Sequence, residues 1–114
     1  MLRIVDVEKA IALRPPAAAA PEGAFTVHIV DPSAAWNQGV WRIECTGGRL
    51  AAVRTEGAAG LSTDAAAFAA MYNGYLRPTD AVRSGLAQAS DPEAATLADL
   101  ILAVDSPPHP ADFF

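Results

Sequence analysis

Ala24-Phe25-Thr26-Val27-His28-Ile29-Val30 is the stretch on which the fold turns. Phe25, Val27 and Ile29 alternate with Thr26 and His28, the period of two that sets one face of a strand against a core. Asp31-Pro32-Ser33 follows as a turn signal. A second strand is predicted from about Gly39 to Thr46, with Trp41, Ile43 and Cys45 on one face and Arg42 and Glu44 on the other. Gly47-Gly48 offers the positive φ that a tight hairpin needs. A third strand then runs from about Arg49 to Thr55, and Leu61-Ser62-Thr63 makes a short fourth. The order so far reads as three or four consecutive antiparallel strands. Trp41 is the expected core anchor, since an indole buries ~150–250 Å².

Outward from the strands the period changes. Upstream, Asp6 can cap a helix whose apolar face is Val7, Ala10 and Ile11, and Pro15-Pro16 stops it near Arg14. Pro15 to Gly23 reads as a loop. Downstream, Phe68, Met71 and Tyr72 stand at i, i+3 and i+4, so residues 64–73 form a helix, capped by Thr63 or Asp64 and ended by Gly74. Pro78-Thr79-Asp80 starts a short helix that ends near Gly85. Asp91-Pro92-Glu93 combines a capping carboxylate, a proline at the first helical position and an acid in the first turn. The helix it opens carries Leu97, Leu100, Ile101 and Val104 on one stripe, and Asp105-Ser106-Pro107-Pro108 stops it. His109 to Phe114 is an extended tail. Strands first and helices later give a two-layer α+β domain spanning residues 1–114.

Composition limits the function. The chain has 114 residues, enough for one domain with a core of its own, and 52% of them are hydrophobic, which excludes wholesale disorder. The net charge of −5 and the lack of any basic cluster argue against nucleic-acid binding. One cysteine, Cys45, excludes an intrachain disulfide and fits a reducing compartment. The first six residues are too short and polar for a signal peptide, and no apolar run approaches the ~20 residues of a membrane span. A cytoplasmic protein is the expectation.

Chemistry is sparse. No glycine-rich phosphate loop is present, and Arg83-Ser84-Gly85-Leu86-Ala87, the nearest approach to an acetyl-CoA loop, lacks the preceding strand. His28, His109 and Cys45 share no metal-site spacing, so no metal is expected. His28 reads as a partly exposed strand residue and Cys45 as a small core residue. Ser62, Ser84 and Ser90 lack an activating motif, and Glu93 and Asp99 are expected to face solvent.

Three segments nonetheless carry a family resemblance: Leu2-Arg3-Ile4-Val5-Asp6-Val7-Glu8-Lys9-Ala10-Ile11; Asp31-Pro32-Ser33-Ala34-Ala35-Trp36-Asn37-Gln38-Gly39-Val40-Trp41-Arg42-Ile43; and Ala103-Val104-Asp105-Ser106-Pro107-Pro108 with the terminal Asp112-Phe113-Phe114. Together they resemble the C-terminal domain of the Eis (enhanced intracellular survival) type of GNAT-family N-acetyltransferase. The resemblance implies a sterol-carrier-protein-like fold, with a mostly antiparallel sheet of about four to five strands covered by helices. It also implies that the chain is the last third of a longer enzyme whose preceding acetyltransferase domains bind acetyl-CoA. In such enzymes the C-terminus returns to the active site. Carried over, the α-carboxylate of Phe114 would be the general base, and Phe113, Asp112 and Trp36 would belong to a pocket for a small amine, of the aminoglycoside type. Some members place an acid just before the last residue, where this chain has Phe113, which leaves the amine preference open. The resemblance further implies a homo-oligomeric parent, and a chain that is inactive alone and binds no cofactor itself. Two other functions are compatible with the sequence: a free-standing lipid or sterol carrier, which needs a continuous apolar cavity, and a structural assembly module.

Overall fold

A computed structural model describes residues 6–17 and 20–103. Helix α1 (Val7–Leu13) opens the chain, with the Asp6 carboxylate accepting the Lys9 N–H at 3.0 Å. Strands β1 (Gly23–Val30), β2 (Gly39–Thr46) and β3 (Arg49–Thr55) follow, then β4 (Leu61–Asp64). Helix α2 (Ala65–Tyr72) is capped by Asp64, whose carboxylate accepts the Ala67 N–H. Helix α3 (Pro78–Arg83), strand β5 (Ala87–Ala89) and helix α4 (Pro92–Ile101) complete the described residues. The chain is thus α+β, with one five-stranded sheet in the order β3-β2-β1-β4-β5.

The alternation read from the sequence sets the core. Phe25 lies opposite Ile43 and Val27 opposite Trp41, while Ile43 and Cys45 face Ala52 and Leu50 across the next ladder. All of these are buried beneath helices. The β2–β3 turn is the two-residue hairpin expected, with Gly47 at φ +58° and Gly48 at +75°, a conformation that strains any other residue at both positions. Alanine contributes a large part of the interior: Ala10, Ala69, Ala81, Ala94, Ala95 and Ala98 are all buried, which lets the helices approach closely.

Four expectations are corrected. First, β4 does not continue an antiparallel series. It lies parallel to β1, with Val27 opposite Leu61 and Val30 opposite Asp64. β2 already occupies one edge of β1, so the returning chain hydrogen-bonds to the other. It gets there through residues 56–60, where the Gly60 N–H is accepted by the Thr26 hydroxyl at 2.9 Å. β4 pairs with only the second half of β1. Beside the first half stands α4, so close that a Cβ on Gly60 would lie 2.7 Å from that of Ala94.

Second, the sequence reading has no counterpart to β5. Its three residues pair with β4 (Leu61 opposite Ala89), but they hold no β-branched side chain and are too few for a period to emerge. Third, α4 ends at Ile101 and buries Ala94, Ala95, Ala98 and Ile101, whereas Leu100 is exposed. The buried stripe is mostly alanine, and the large Leu100 points outward. Val104 and the Asp105–Pro108 stop signal lie outside the described residues. Fourth, Asp99 does not face solvent. Its carboxylate accepts the Thr79 N–H at 2.9 Å and the Thr79 hydroxyl at 2.6 Å, and its side chain is only 9% exposed. Arg77, the residue before α3, has no capping side chain of its own, so an acid from α4 satisfies the first turn of α3 instead.

Candidate functional site

Of the residues singled out for function, Phe114, Phe113 and Asp112 lie outside the described residues, as does His109. Trp36 is placed. It sits in the loop between β1 and β2 and is 56% exposed, while its backbone carbonyl accepts a hydrogen bond from Arg54 Nη2. Glu93 is exposed, His28 half-buried, and Cys45 is a buried free thiol.

The Trp-Asn-x-Gly-x-Trp stretch has a structural logic. Asn37 is 1% exposed and uses both of its carbonyl groups. Its side-chain Oδ1 accepts the Val7 N–H at 2.9 Å, satisfying a donor at the open end of α1, and its backbone oxygen accepts the Trp41 indole N–H at 2.8 Å. Arg54 on β3 lies opposite Trp41 and covers it, with Cζ 4.5 Å from the ring centroid. Its Nη1 donates to the Gln38 carbonyl at 2.7 Å. Gly39, at φ +132°, leaves room for this: a Cβ there would lie 2.7 Å from Arg54 Nη1. Arg54 therefore fixes the backbone on which Trp36 is displayed. Arg54→Ala should lose a charge-assisted hydrogen-bond pair and a cation–π contact, about 2 kcal/mol together. It should also wet Trp41, so the intrinsic tryptophan fluorescence should shift to the red. A variant with unchanged emission would show that Arg54 does not shield the ring.

The opposite end of α1 is held by the residues that follow α4. Arg14, just past the helix, donates from Nη2 to the Leu102 carbonyl at 2.5 Å and to the Ala103 carbonyl at 3.3 Å. Its Cζ lies 5.4 Å from the centre of the Tyr72 ring, and the Tyr72 hydroxyl donates to the Ala10 carbonyl at 2.9 Å. Burial pushes the Arg14 pKa below its ordinary value, and the field of Tyr72 opposes that shift. One short helix thus joins the Trp36 loop to the backbone just past α4. Its seven residues span about 10 Å. Sequence reasoning missed Asn37, Arg54 and Arg14. The first lies within the motif it quoted, but nothing local marks the other two.

A groove of about 470 Å³ lies elsewhere, between Thr26, Arg42, Ala58, Gly60, Asp91 and Leu97. Arg42 there is paired with Glu44 at 3.2 Å, and the wall mixes charges of both signs with alanines. An alkyl chain needs a more uniformly apolar lining than this. Arg83–Ala87 closes α3 and enters β5, with no helix N-terminus following it. It does not fit a cofactor phosphate. Among the described residues no group of three or more His, Cys, Asp or Glu could hold a metal, and no helix is long and apolar enough to cross a membrane.

The sheet order, with a parallel β1–β4 pair inside an otherwise antiparallel sheet and helices covering one face, defines an α+β domain of the sterol-carrier type. The chain belongs to the sterol carrier protein domain family, whose model it matches over residues 7–110. No curated protein sequence matches it. Among solved structures it is similar to a GCN5-related N-acetyltransferase from Anabaena variabilis, with 28% identity and a TM-score of 0.82 over 92% of this chain and 26% of that one. It is similar to a GCN5-related N-acetyltransferase from Kribbella flavida at 25% identity and TM-score 0.82, over 98% of this chain and 28% of that one. It is also similar to Eis1 from Mycobacterium abscessus, with 26% identity and TM-score 0.75 over 96% and 26%. The chain thus spans about a quarter of the length of each of these relatives.

Proposed function

We propose that this domain is the substrate-side, C-terminal part of an Eis-like N-acetyltransferase. One observation carries the reading: nearly the whole chain superposes on about a quarter of each of three acetyltransferase-type structures at TM-scores of 0.75–0.82. In this reading acetyl-CoA is bound by the acetyltransferase domains that precede this one, and no step is assigned to a cofactor on this chain. The contribution of this chain is a carboxylate and a surface. The α-carboxylate of Phe114 accepts a proton from the substrate ammonium, leaving a neutral amine able to attack. A free α-carboxylate, with a pKa of ~3.3–3.7, is a poor base for that task. Burial between aromatic rings raises its basicity, a role that suits Phe113 and the Phe114 ring. Asp112 and Trp36 complete the pocket, the acid attracting a polycationic amine such as an aminoglycoside and the indole lying against its cationic groups. The exposed position of Trp36 supports this assignment.

The test is a chimera in which these 114 residues replace the matching quarter of the Kribbella flavida protein. Acetyl-CoA-dependent acetylation of a panel of polyamines and aminoglycosides should be retained, while the 114-residue chain alone should acetylate none of them. The reading is overturned by turnover from the isolated chain. It is equally overturned by a folded, acetyl-CoA-binding chimera that acetylates nothing its intact counterpart does.

A further inference from the structure

We infer that the groove beside β1 is a binding site for an extended peptide segment carrying a basic residue, which pairs its backbone with Ala24 and Thr26. The ladder geometry supplies the first part of the argument. The two-residue turn at Gly47-Gly48 makes Thr46 and Arg49 a hydrogen-bonded pair, and bonded pairs alternate from there. β2 therefore turns the backbone groups of Cys45, Ile43 and Trp41 toward β1, where they meet Gly23, Phe25 and Val27. The N–H and C=O of Ala24 and Thr26 point the other way, to the side that β4 takes up only from Leu61, opposite Val27. Among the described residues nothing accepts the Ala24 or Thr26 N–H, and nothing donates to the Ala24 carbonyl. Both residues are half-buried, so these groups are within reach of a ligand.

Ala24 and Thr26 line the groove of about 470 Å³ whose far wall is α4. A strand edge facing a helix suits an added strand: main-chain hydrogen bonds hold it, and flanking side chains select it. Ala24 to Thr26 covers ~7 Å of strand, so a ligand of three residues reaches both. The charge of the wall selects among such ligands. Asp91 at the N-cap of α4 and Glu93 in its first turn are exposed, and neither joins an ion pair among the described residues. Arg42, the cation of the lining, is already paired with Glu44 at 3.2 Å. The lining is therefore net acidic, on a chain of net charge −5, and a lysine or arginine of the ligand fits beside Glu93. Leu97 supplies an apolar surface for the stem of that side chain. The inference does not depend on the acetyltransferase reading.

NMR titration of the 114-residue chain with the end-blocked probe acetyl-Thr-Lys-Thr-methylamide tests it. Binding at a Kd of ~1 mM or tighter is expected. Shifts should centre on Ala24, Thr26 and Glu93, and amide exchange at Ala24 and Thr26 should slow. Ala24→Pro removes a donor that the β2 ladder does not use, so the fold should be kept. Affinity should then fall at least about fivefold, as for a lost hydrogen bond. Glu93→Gln should weaken the lysine probe about threefold and leave a norleucine probe unchanged. Shifts centred elsewhere, no binding at several millimolar, or full affinity in Ala24→Pro overturns the inference, and equal effects of Glu93→Gln on both probes overturn the selection for a basic residue. Should Ala24→Pro fail to fold, the unsubstituted chain still decides: a probe methylated on every amide nitrogen should bind far more weakly, and equal affinity overturns the pairing. A dimer that Ala24→Pro makes monomeric assigns this edge to a second copy and overturns the peptide reading as well.

Discussion

Trp41→Ala should destabilise the domain by about 3–5 kcal/mol, the range for losing a large buried aromatic. Three losses combine at this position. The indole is 2% exposed between β1 and β3, lying opposite Val27 and Arg54, so truncation leaves a cavity in the centre of the sheet. The Asn37 carbonyl loses its donor while Asn37 stays buried. Arg54 loses the ring beneath it. A domain of this size has only ~5–15 kcal/mol to lose. The urea midpoint should therefore fall by a large fraction, and the melting temperature by at least about 12 °C. Trp41→Phe, which keeps a ring but no indole N–H, should lie between the two. An unchanged midpoint for Trp41→Ala would show that the indole does not anchor the core.

The second large effect concerns turnover and rests on the proposed function. In the Kribbella flavida chimera, removing Phe113 and Phe114 should lower kcat by about 10²–10⁴-fold, the usual contribution of a general base. A carboxylate still ends the chain after the deletion, now on Asp112, but up to ~7 Å short of its former position. Displacements of even 1 Å can cost ~100-fold when the reacting groups must align. Acetyl-CoA binding should be unchanged, since the proposed function assigns it to the preceding acetyltransferase domains. Amidating the Phe114 carboxylate separates charge from packing: it keeps both rings and should cost nearly as much in kcat. A deletion that leaves kcat within about twofold would remove the terminal carboxylate from the chemistry.

The legible parts of this fold are those encoded within a few residues. Asp6, Asp64 and Asp91 each cap a helix by accepting a backbone N–H two or three residues on, an interaction whose two ends are neighbours in the chain. The β1, β2 and β3 alternation and the Gly47-Gly48 turn are local in the same way. The candidate site was legible only through resemblance. The Trp36-Asn37 segment stands out as a motif, but nothing in it states that Asn37 seals a helix thirty residues upstream.

By itself, then, the sequence determined the helices, the three long strands, the hairpin and the identity of the core face, because caps, turn glycines and side-chain periodicity act over short range. Only the tertiary structure decided that β4 returns parallel to β1, that Asp99 of α4 caps α3, that Arg54 covers Trp41, and that Arg14 is drawn out of water against the Leu102 carbonyl. Each of these joins residues from about thirteen to nearly ninety positions apart. Which groups meet at that range depends on the path of the backbone between them, and residue order alone does not specify that path.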